Sequence, residues 1–249
     1  MELSMMTYVL IFLGWVVGGI VGGSTGMGAV MSAMPFLTWV ISPTDAVIVC
    51  LLVSLWDCTQ LGYLYRKWCV WSEVRDLLIG MVPGVLLGNM ALKLISVQHF
   101  QLMVSIILFL FVGLKFYQMY HKSTYQLPKS VIAGLIAGVA CGFVNASVAM
   151  MGAPLGIYVL LRGWDPNQAR GNMSIIFTVT TVFTVATQVM SGMYTMNLLL
   201  LSLIGMAGAC CGNLIGVRIG RRFSKDLMTK IILVFLTIFA VSLLMRVIK

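Results

Sequence analysis

The chain has 249 residues, of which 60% are hydrophobic and 9% charged, and its formal net charge is +9. Because soluble domains are about one quarter charged, this composition excludes a soluble globular domain and indicates a polytopic membrane protein. The basic residues lie in short connecting segments, where they fix orientation in the membrane, so the positive charge does not indicate a nucleic-acid partner. The predicted partner is the lipid bilayer.

The first apolar run extends over residues 6–41 and contains no charged residue. Its middle is the sequence GGSTGMG at 22–28. Each glycine disfavours an interior helical position by about 1 kcal/mol relative to alanine, so we predict a break at residues 24–28. Residues 45–65, 77–92 and 100–116 follow as predicted transmembrane helices, each close to the length that a bilayer requires.

The second half repeats this order after a polar connector at 117–129. Another uncharged run, 130–161, contains GVACGFVNASVAMMGAP at 138–154, where we predict a break at 145–149. Residues 171–189, 196–217 and 231–245 are the predicted helices that follow. Two glycines and a proline of each run align at an offset of 119: Gly19, Gly23 and Pro35 with Gly138, Gly142 and Pro154. We therefore predict one membrane domain, 1–249, with repeats at 1–119 and 129–249 and a cytoplasmic linker at 120–128.

Charge predicts how the two halves cross the membrane. Lysine and arginine are concentrated at 66–75, 115–129, 162–170 and 218–225. The positive-inside rule places all four segments in the cytoplasm, and corresponding helices of the two halves must then cross in opposite directions. The predicted fold class is all-α, with two inverted-topology repeats, each an interrupted helical hairpin plus three transmembrane helices. Each interrupted run is either a pair of full spans or a re-entrant pair of half-helices of about 16 residues, roughly 24 Å each.

The two breaks are the predicted substrate site. Gly/Pro-interrupted hydrophobic segments at matching places in two halves are typical of the binding site of a secondary transporter. A helix that begins at such a break presents free N–H groups and about half a positive charge, which suits an anion. The predicted substrate-binding residues at the breaks are Ser24, Thr25, Gly26, Gly28, Asn145, Ala146, Ser147 and Gly152. The alternative is that the glycines only permit close helix packing.

Three further polar residues are candidates for transport. Asp57 lies well inside a predicted helix, about 18 Å along it from Asp45, and either couples transport to protons or is a hydrogen-bonded structural residue. Arg170 either donates to the anion at the cytoplasmic mouth or anchors its helix at the lipid headgroups. Asn172 either lines the path or bonds one helix to another.

The sequence gives no indication of an enzyme. The six cysteines form no CxxC pair or Cys/His cluster with zinc spacing, so we expect no metal and no cofactor. The interrupted segments contain no metal-ligand spacing and no nucleophile–base pair, and the chain contains no Walker loop that would bind ATP.

The stretches GGSTGMGAVMSAMPFL and CGFVNASVAMMGAPLGIYVLLRGWDPNQARGNMS resemble the sulfite exporter TauE/SafE-like permease family. The resemblance implies export of a small sulfur-containing or organic anion, such as sulfite or a sulfonate, across the bacterial inner membrane. With the predicted repeats, this indicates a secondary transporter that works by alternating access and holds the anion at the two broken-helix N-termini. Protons are the candidate coupling ion. A passive channel for small anions or neutral solutes is the alternative, and the sequence indicates neither the particular anion nor the oligomeric state.

Overall fold

The computed structural model describes residues 5–25, 28–120 and 128–222, together with the single positions 234, 237, 240 and 241. This part of the chain is helical and contains no strand, so the all-α fold class is confirmed. Nine α-helices occur in it: α1 Met5–Thr25, α2 Ala29–Val40, α3 Pro43–Tyr65, α4 Trp71–Leu94, α5 Val97–Tyr120, α6 Val131–Val148, α7 Gly152–Arg162, α8 Pro166–Met190 and α9 Met196–Arg222. A short 3-10 turn, Arg66–Trp68, joins α3 to α4.

Among the described residues, six helical segments are long and apolar enough to cross a membrane. They are Met5–Gly23, Trp71–Leu94, Val97–Leu114, Val131–Val148, Asn167–Met190 and Met196–Ile219. The helices α2 and α7 are apolar but shorter. The predicted helix at 231–245 lies almost wholly outside the described residues. The chain is therefore a multi-pass membrane protein.

The faces of α4 show the distribution expected in lipid. Large apolar side chains such as Ile79 and Met90 are 56% and 61% exposed, whereas Asp76 and Asn89 are buried. A helix surrounded by water would expose the polar residues instead. In a membrane, lipid solvates the apolar face, and small and polar residues pack against neighbouring helices.

Each interrupted run forms one long helix followed by one short helix. The first run gives α1 with 21 residues and α2 with 12, and the second gives α6 with 18 and α7 with 11. The two helices of each run are therefore unequal, and not about 16 residues each. The glycines before each break remain helical because neighbouring backbone packs against them: a Cβ at Gly19 or Gly142 would collide with the main chain of α9 or α4.

Some helix boundaries in the first half of the chain recur 123 residues later in the second half. Three pairs of boundaries show it: the ends of α1 and α6 at Thr25 and Val148, the starts of α2 and α7 at Ala29 and Gly152, and the starts of α3 and α8 at Pro43 and Pro166. These three boundaries therefore differ by four residues from the offset of 119 at which the glycines and prolines align.

The chain divides into two compact units, each of which draws on both predicted repeats. The first comprises Met1–Val53, Ile95–Val112 and Tyr194–Lys249, and the second Ser54–Leu94 and Gly113–Met193. In the first unit α1 packs against α9 and α2. In the second, α4 packs against α6 and α8, and α6 also contacts α7.

Each unit contains one pair of closely packed parallel helices. In the second unit, Cβ atoms at Gly80, Gly84 and Gly88 of α4 would meet the carbonyl oxygens of Leu135, Val139 and Phe143 of α6. In the first unit, Gly208, Gly212 and Gly216 of α9 have the same relation to Phe12, Val16 and Ile20 of α1. Residue numbers rise together in both pairs, so each pair is parallel. The carbonyl positions in α1 and α6 also differ by 123.

Candidate anion site at the helix breaks

The first break leaves the start of α2 without a side-chain cap. Gly28 precedes the helix with φ of 89°, a left-handed conformation that glycine adopts readily. The first helical bond of α2 runs from the Ser32 N–H to the Gly28 carbonyl at 3.0 Å. Among the described residues no side chain caps this end. The N–H groups that precede Ser32 are therefore available to a ligand.

The predicted site residues at the first break are only partly described. Ser24 and Thr25 end α1, and the structure describes their backbone alone. Gly26 lies outside the described residues. Sequence reasoning missed Ser32, which lies in the first turn of α2, is fully buried, and has no hydrogen-bond partner for its Oγ among the described residues.

The second break lies at residues 149–151, later than the sequence predicted. Ala149 has φ of 57°, and α7 begins at Gly152. Asn145, Ala146 and Ser147 form the last turn of α6 instead of leading into the next helix. The reason is local: the Ser147 hydroxyl donates to the Phe143 carbonyl at 2.6 Å, and the Ala149 N–H donates to the Asn145 carbonyl at 2.9 Å.

The start of α7 resembles that of α2. Its residue before the helix, Met151, provides no side-chain cap among the described residues. The Leu155 N–H donates to the Met151 carbonyl at 3.2 Å, which leaves the N–H groups of Gly152 and Ala153 ahead of the first helical bond. The third helical residue is Pro154, which has no N–H. Gly152, a predicted binding residue, is therefore the first residue of an uncapped helix.

A buried network of amides and hydroxyls fixes the last turn of α6. Asn145 Nδ2 donates to Thr184 Oγ1 of α8 at 3.0 Å. Gln188 Nε2 donates to Asn89 Oδ1 of α4 at 3.0 Å and lies 3.5 Å from the Ala146 carbonyl oxygen. Asn89 Nδ2 donates to a second hydroxyl of α8, that of Thr187, at 2.9 Å. This network joins α4, α6 and α8 next to the break without using a charged side chain.

Sequence reasoning did not connect these network residues. Asn89 and Gln188 are visible as isolated amides inside apolar helices, and Thr184 is one of several threonines in α8. Their common feature is burial, with exposed fractions of 6% or less. The period of α8 could have supplied a signal, because Thr180, Thr184 and Gln188 recur every four residues and share one helix face.

The remaining predicted residues lie elsewhere in their units. Asn172 is fully buried, and its Oδ1 accepts from the Val70 N–H at 2.8 Å, which fastens the connector between α3 and α4 to α8. Arg170 is exposed in the second turn of α8. Asp57 is half-buried in α3. Among the described hydrogen bonds, none joins Arg170 or Asn172 to the α6–α7 break.

An ion pair holds the far end of α7. Arg162, its last residue, donates to Glu73 Oε2 in the first turn of α4 through Nη2 at 2.6 Å and Nε at 3.0 Å. Trp164 Nε1 donates to the same oxygen at 3.2 Å. The side chains of Arg162 and Glu73 are 10% and 13% exposed. This pair, which the sequence did not predict, links α7 to α4 at the end opposite the break.

These features define a polytopic α-helical membrane protein in which helices are interrupted within apolar segments. Comparison with known protein families matches residues 10–243 to the family described as Sulfite exporter TauE/SafE. Because the match spans nearly the whole chain, the chain belongs to this family of membrane transporters. No curated protein and no solved structure matches the chain.

Proposed function

We propose that the protein is a secondary transporter that exports a small sulfur-containing or organic anion, such as sulfite or a sulfonate, across the bacterial inner membrane. The observation that carries this proposal is a difference between helix starts. The starts of α6 and α8 are capped by the side chains of Ser130 and Asp165. The starts of α2 and α7, which follow the breaks, have no such cap among the described residues.

An uncapped helix start inside an apolar segment is suited to an anion. Its N–H groups lack intrahelical acceptors, and the helix dipole adds about half a positive charge at that end. Neither contribution is a full formal charge, so binding stays weak enough for release on the other side of the membrane. In this proposal each uncapped N-terminus, that of α2 in the first unit and that of α7 in the second, binds an anionic group within its own unit, and the buried network at Asn145 holds the second break in position.

The parallel helix pairs support inverted repeats and, with them, alternating access. In the second unit, α4 and α6 both begin after connectors with two basic residues each, Arg66 and Lys67 before α4 and Lys122 and Lys129 before α6. In the first unit, α9 begins after the uncharged linker 191–195, and α1 runs parallel to it. Parallel pairing within each unit therefore agrees with the sidedness inferred from charge, in which corresponding helices of the two halves cross in opposite directions.

Two sources of free energy are available for export. The membrane potential favours expulsion of anions by about 2.3 kcal/mol per charge per 100 mV. Asp57 is the candidate for coupling to protons, since it is an ionisable residue within the helix that follows the first hairpin.

Counterflow of labelled sulfite into proteoliposomes tests the function. The purified protein is reconstituted, the vesicles are loaded with unlabelled sulfite, and entry of [³⁵S]sulfite is followed against sulfate, taurine and acetate as competitors. We expect saturable entry that internal sulfite accelerates. Entry that rises linearly with concentration and does not respond to internal sulfite would instead indicate a passive channel.

A further inference from the structure

One hydroxyl of α8 differs from its neighbours. The hydroxyls of four residues in this helix donate to the carbonyl oxygen one turn earlier: Ser174, Thr178, Thr184 and Thr187. Such bonding is the usual way in which a helix satisfies a serine or threonine. Thr180 is fully buried, yet its Oγ1 has no partner among the described residues. Buried polar atoms are nearly always hydrogen-bonded, so this hydroxyl requires an explanation.

The position of Thr180 in α8 connects this residue to the second break. Thr184, one turn farther along the same face, accepts from Asn145 in the last turn of α6. The Thr184 hydroxyl in turn donates to the Thr180 carbonyl at 2.8 Å. Asn145 also closes the turn at the break through its carbonyl oxygen. Thr180 therefore lies one helical turn from Thr184, the residue of α8 that is bonded to the last turn of α6.

The connection between α7 and α8 is short. The end of α7 and the start of α8 are separated only by residues 163–165. Moving from Thr184 to Thr180 therefore follows α8 back towards its connection to α7. Gly152 lies about 15 Å from the end of α7, and Thr180 about 21 Å from the start of α8, at the helical rise of about 1.5 Å per residue. Measured along the helices, the uncapped helix start and the hydroxyl of Thr180 thus lie at similar distances from this connection.

The internal repeat singles out the same position. Residue 180 lies 123 positions after Asp57, the interval that separates the matching boundaries of α1 and α6, α2 and α7, and α3 and α8. Thr180 thus occupies in α8 the place that Asp57 occupies in α3. Both halves carry a polar side chain at this place, between apolar neighbours such as Trp56 and Val179.

We propose that Thr180 is a substrate-binding residue, whose hydroxyl donates to one oxygen of the anion while other oxygens accept from the first N–H groups of α7. This inference rests on the proposed function and names a residue of the second unit that contacts the transported anion. The ligand class is a small oxyanion such as sulfite, a sulfonate or a carboxylate. Asn145 and Thr184 are positioning residues for Thr180, since their side chains are already bonded to each other.

Isothermal titration of the purified protein with sulfite tests this assignment. Thr180→Val removes the hydroxyl at nearly constant volume and should weaken sulfite binding by about tenfold, the size expected for one hydrogen bond to a charged group. Thr180→Ser keeps the hydroxyl and should bind within about twofold of the unmodified protein. Thr178→Val is the matched control, because the Thr178 hydroxyl is already bonded to the Ser174 and Cys58 carbonyls, and it should leave sulfite affinity unchanged.

Thermal unfolding without anion supplies the second readout. Thr180→Val should unfold at or above the temperature of the unmodified protein, because the Thr180 hydroxyl has no hydrogen bond to lose among the described residues. Unchanged sulfite affinity in Thr180→Val would overturn the assignment. Loss of stability, or failure to fold, would also overturn it, since the hydroxyl would then have a structural partner. If the unmodified protein binds neither sulfite, taurine nor acetate, the proposed function itself fails and this assignment fails with it.

Discussion

Gly28 combines a left-handed backbone with the start of an uncapped helix. Its φ of 89° is a conformation that side chains with a Cβ rarely adopt, and the nearest atom to an added Cβ would be a methyl group of Val21 at 3.5 Å. Gly28→Leu should therefore distort the entry to α2 and reduce [³⁵S]sulfite counterflow to background while the protein remains in the membrane. The control is Gly192→Leu, which has a similar φ of 67° with open space around it. Normal counterflow in Gly28→Leu would remove this break from the site.

Asn145 tests whether the buried network matters for transport. Asn145→Leu removes its bond to Thr184 and leaves that hydroxyl without its donor, a loss of about 1–3 kcal/mol. We expect at least a tenfold lower initial rate of sulfite counterflow, about 1.4 kcal/mol, with normal membrane insertion. Ser174→Ala is the control, since the Ser174 hydroxyl donates to the Arg170 carbonyl within α8 and, among the described hydrogen bonds, to no other helix. Equal rates in Asn145→Leu and the control would show that the network is structural alone.

Asp57 tests proton coupling. Asp57→Asn keeps the shape of the side chain and removes its titratable proton. If protons drive export through this residue, sulfite binding should remain measurable while flux no longer changes with pH. The measurement is initial sulfite flux in proteoliposomes over a series of pH values. A pH profile identical to that of the unmodified protein would assign Asp57 a structural role.

The sequence predicts part of the site because some of its signals are local. A glycine in a left-handed position, such as Gly28, is recognisable within a glycine-rich break. The second break has no glycine at its left-handed position, which Ala149 occupies, so the sequence placed it four residues too early. Ser32 and Thr180 were missed because burial without a partner depends on the helices packed around them, which no local pattern encodes.

At the scale of helices, the parallel α4–α6 contact tolerates no side chain at its glycines. A Cβ at Gly84 would collide with the Val139 carbonyl oxygen, so Gly84→Ala must separate the two helices. We expect a lower unfolding temperature in detergent, although alanine alone favours a helix by about 1 kcal/mol over glycine. Gly113→Ala is the control, because nothing lies within 4 Å of its added Cβ, and it should unfold at or above the normal temperature. Equal unfolding temperatures for the two variants would contradict this packing.

The Glu73–Arg162 pair gives a second prediction about helices. Glu73→Gln removes the carboxylate that faces the part-buried guanidinium of Arg162. Removal of one partner of a fully buried pair costs about 3–5 kcal/mol, and a smaller loss is expected for this part-buried pair. A clearly lower unfolding temperature is therefore expected for this variant. Arg218→Gln is the control, since Arg218 is exposed in α9 and an exposed charge contributes little to stability. Similar unfolding temperatures in both variants would show that the pair does not hold α7 to α4.

Apolar runs predicted the presence of the helices better than their ends. The predicted helix 77–92 is observed as Trp71–Leu94, because the helix continues through Glu73, Arg75 and Asp76. Hydropathy detects only the apolar part of such a helix. The unequal lengths of α1 and α2 were not predictable either, since the glycines of α1 are stabilised as helix by packing against α9.

At the scale of the whole molecule, the sequence and the helix boundaries give different offsets between the two predicted repeats. An offset of 119 aligns two glycines and a proline of the first run with the same residue types in the second, whereas an offset of 123 keeps only the pair Gly19 and Gly142. Three helix boundaries nevertheless recur at 123, because a helix ends where its packing ends and not at a particular residue type. The sequence also did not predict that each compact unit combines segments from both halves, because contacts such as Gly88 with Phe143 join distant positions in the chain.

The most direct test of anion binding at the uncapped helix starts is NMR of the protein labelled with [¹⁵N]alanine, titrated with sulfite. Ala29 is the first residue of α2 and Ala153 the second of α7, whereas the Ala133 N–H is already bonded to Ser130 Oγ in the cap of α6. We predict saturable shifts of the Ala29 and Ala153 amide signals and an unchanged Ala133 signal. Saturable sulfite binding that leaves Ala29 and Ala153 unmoved would contradict the account.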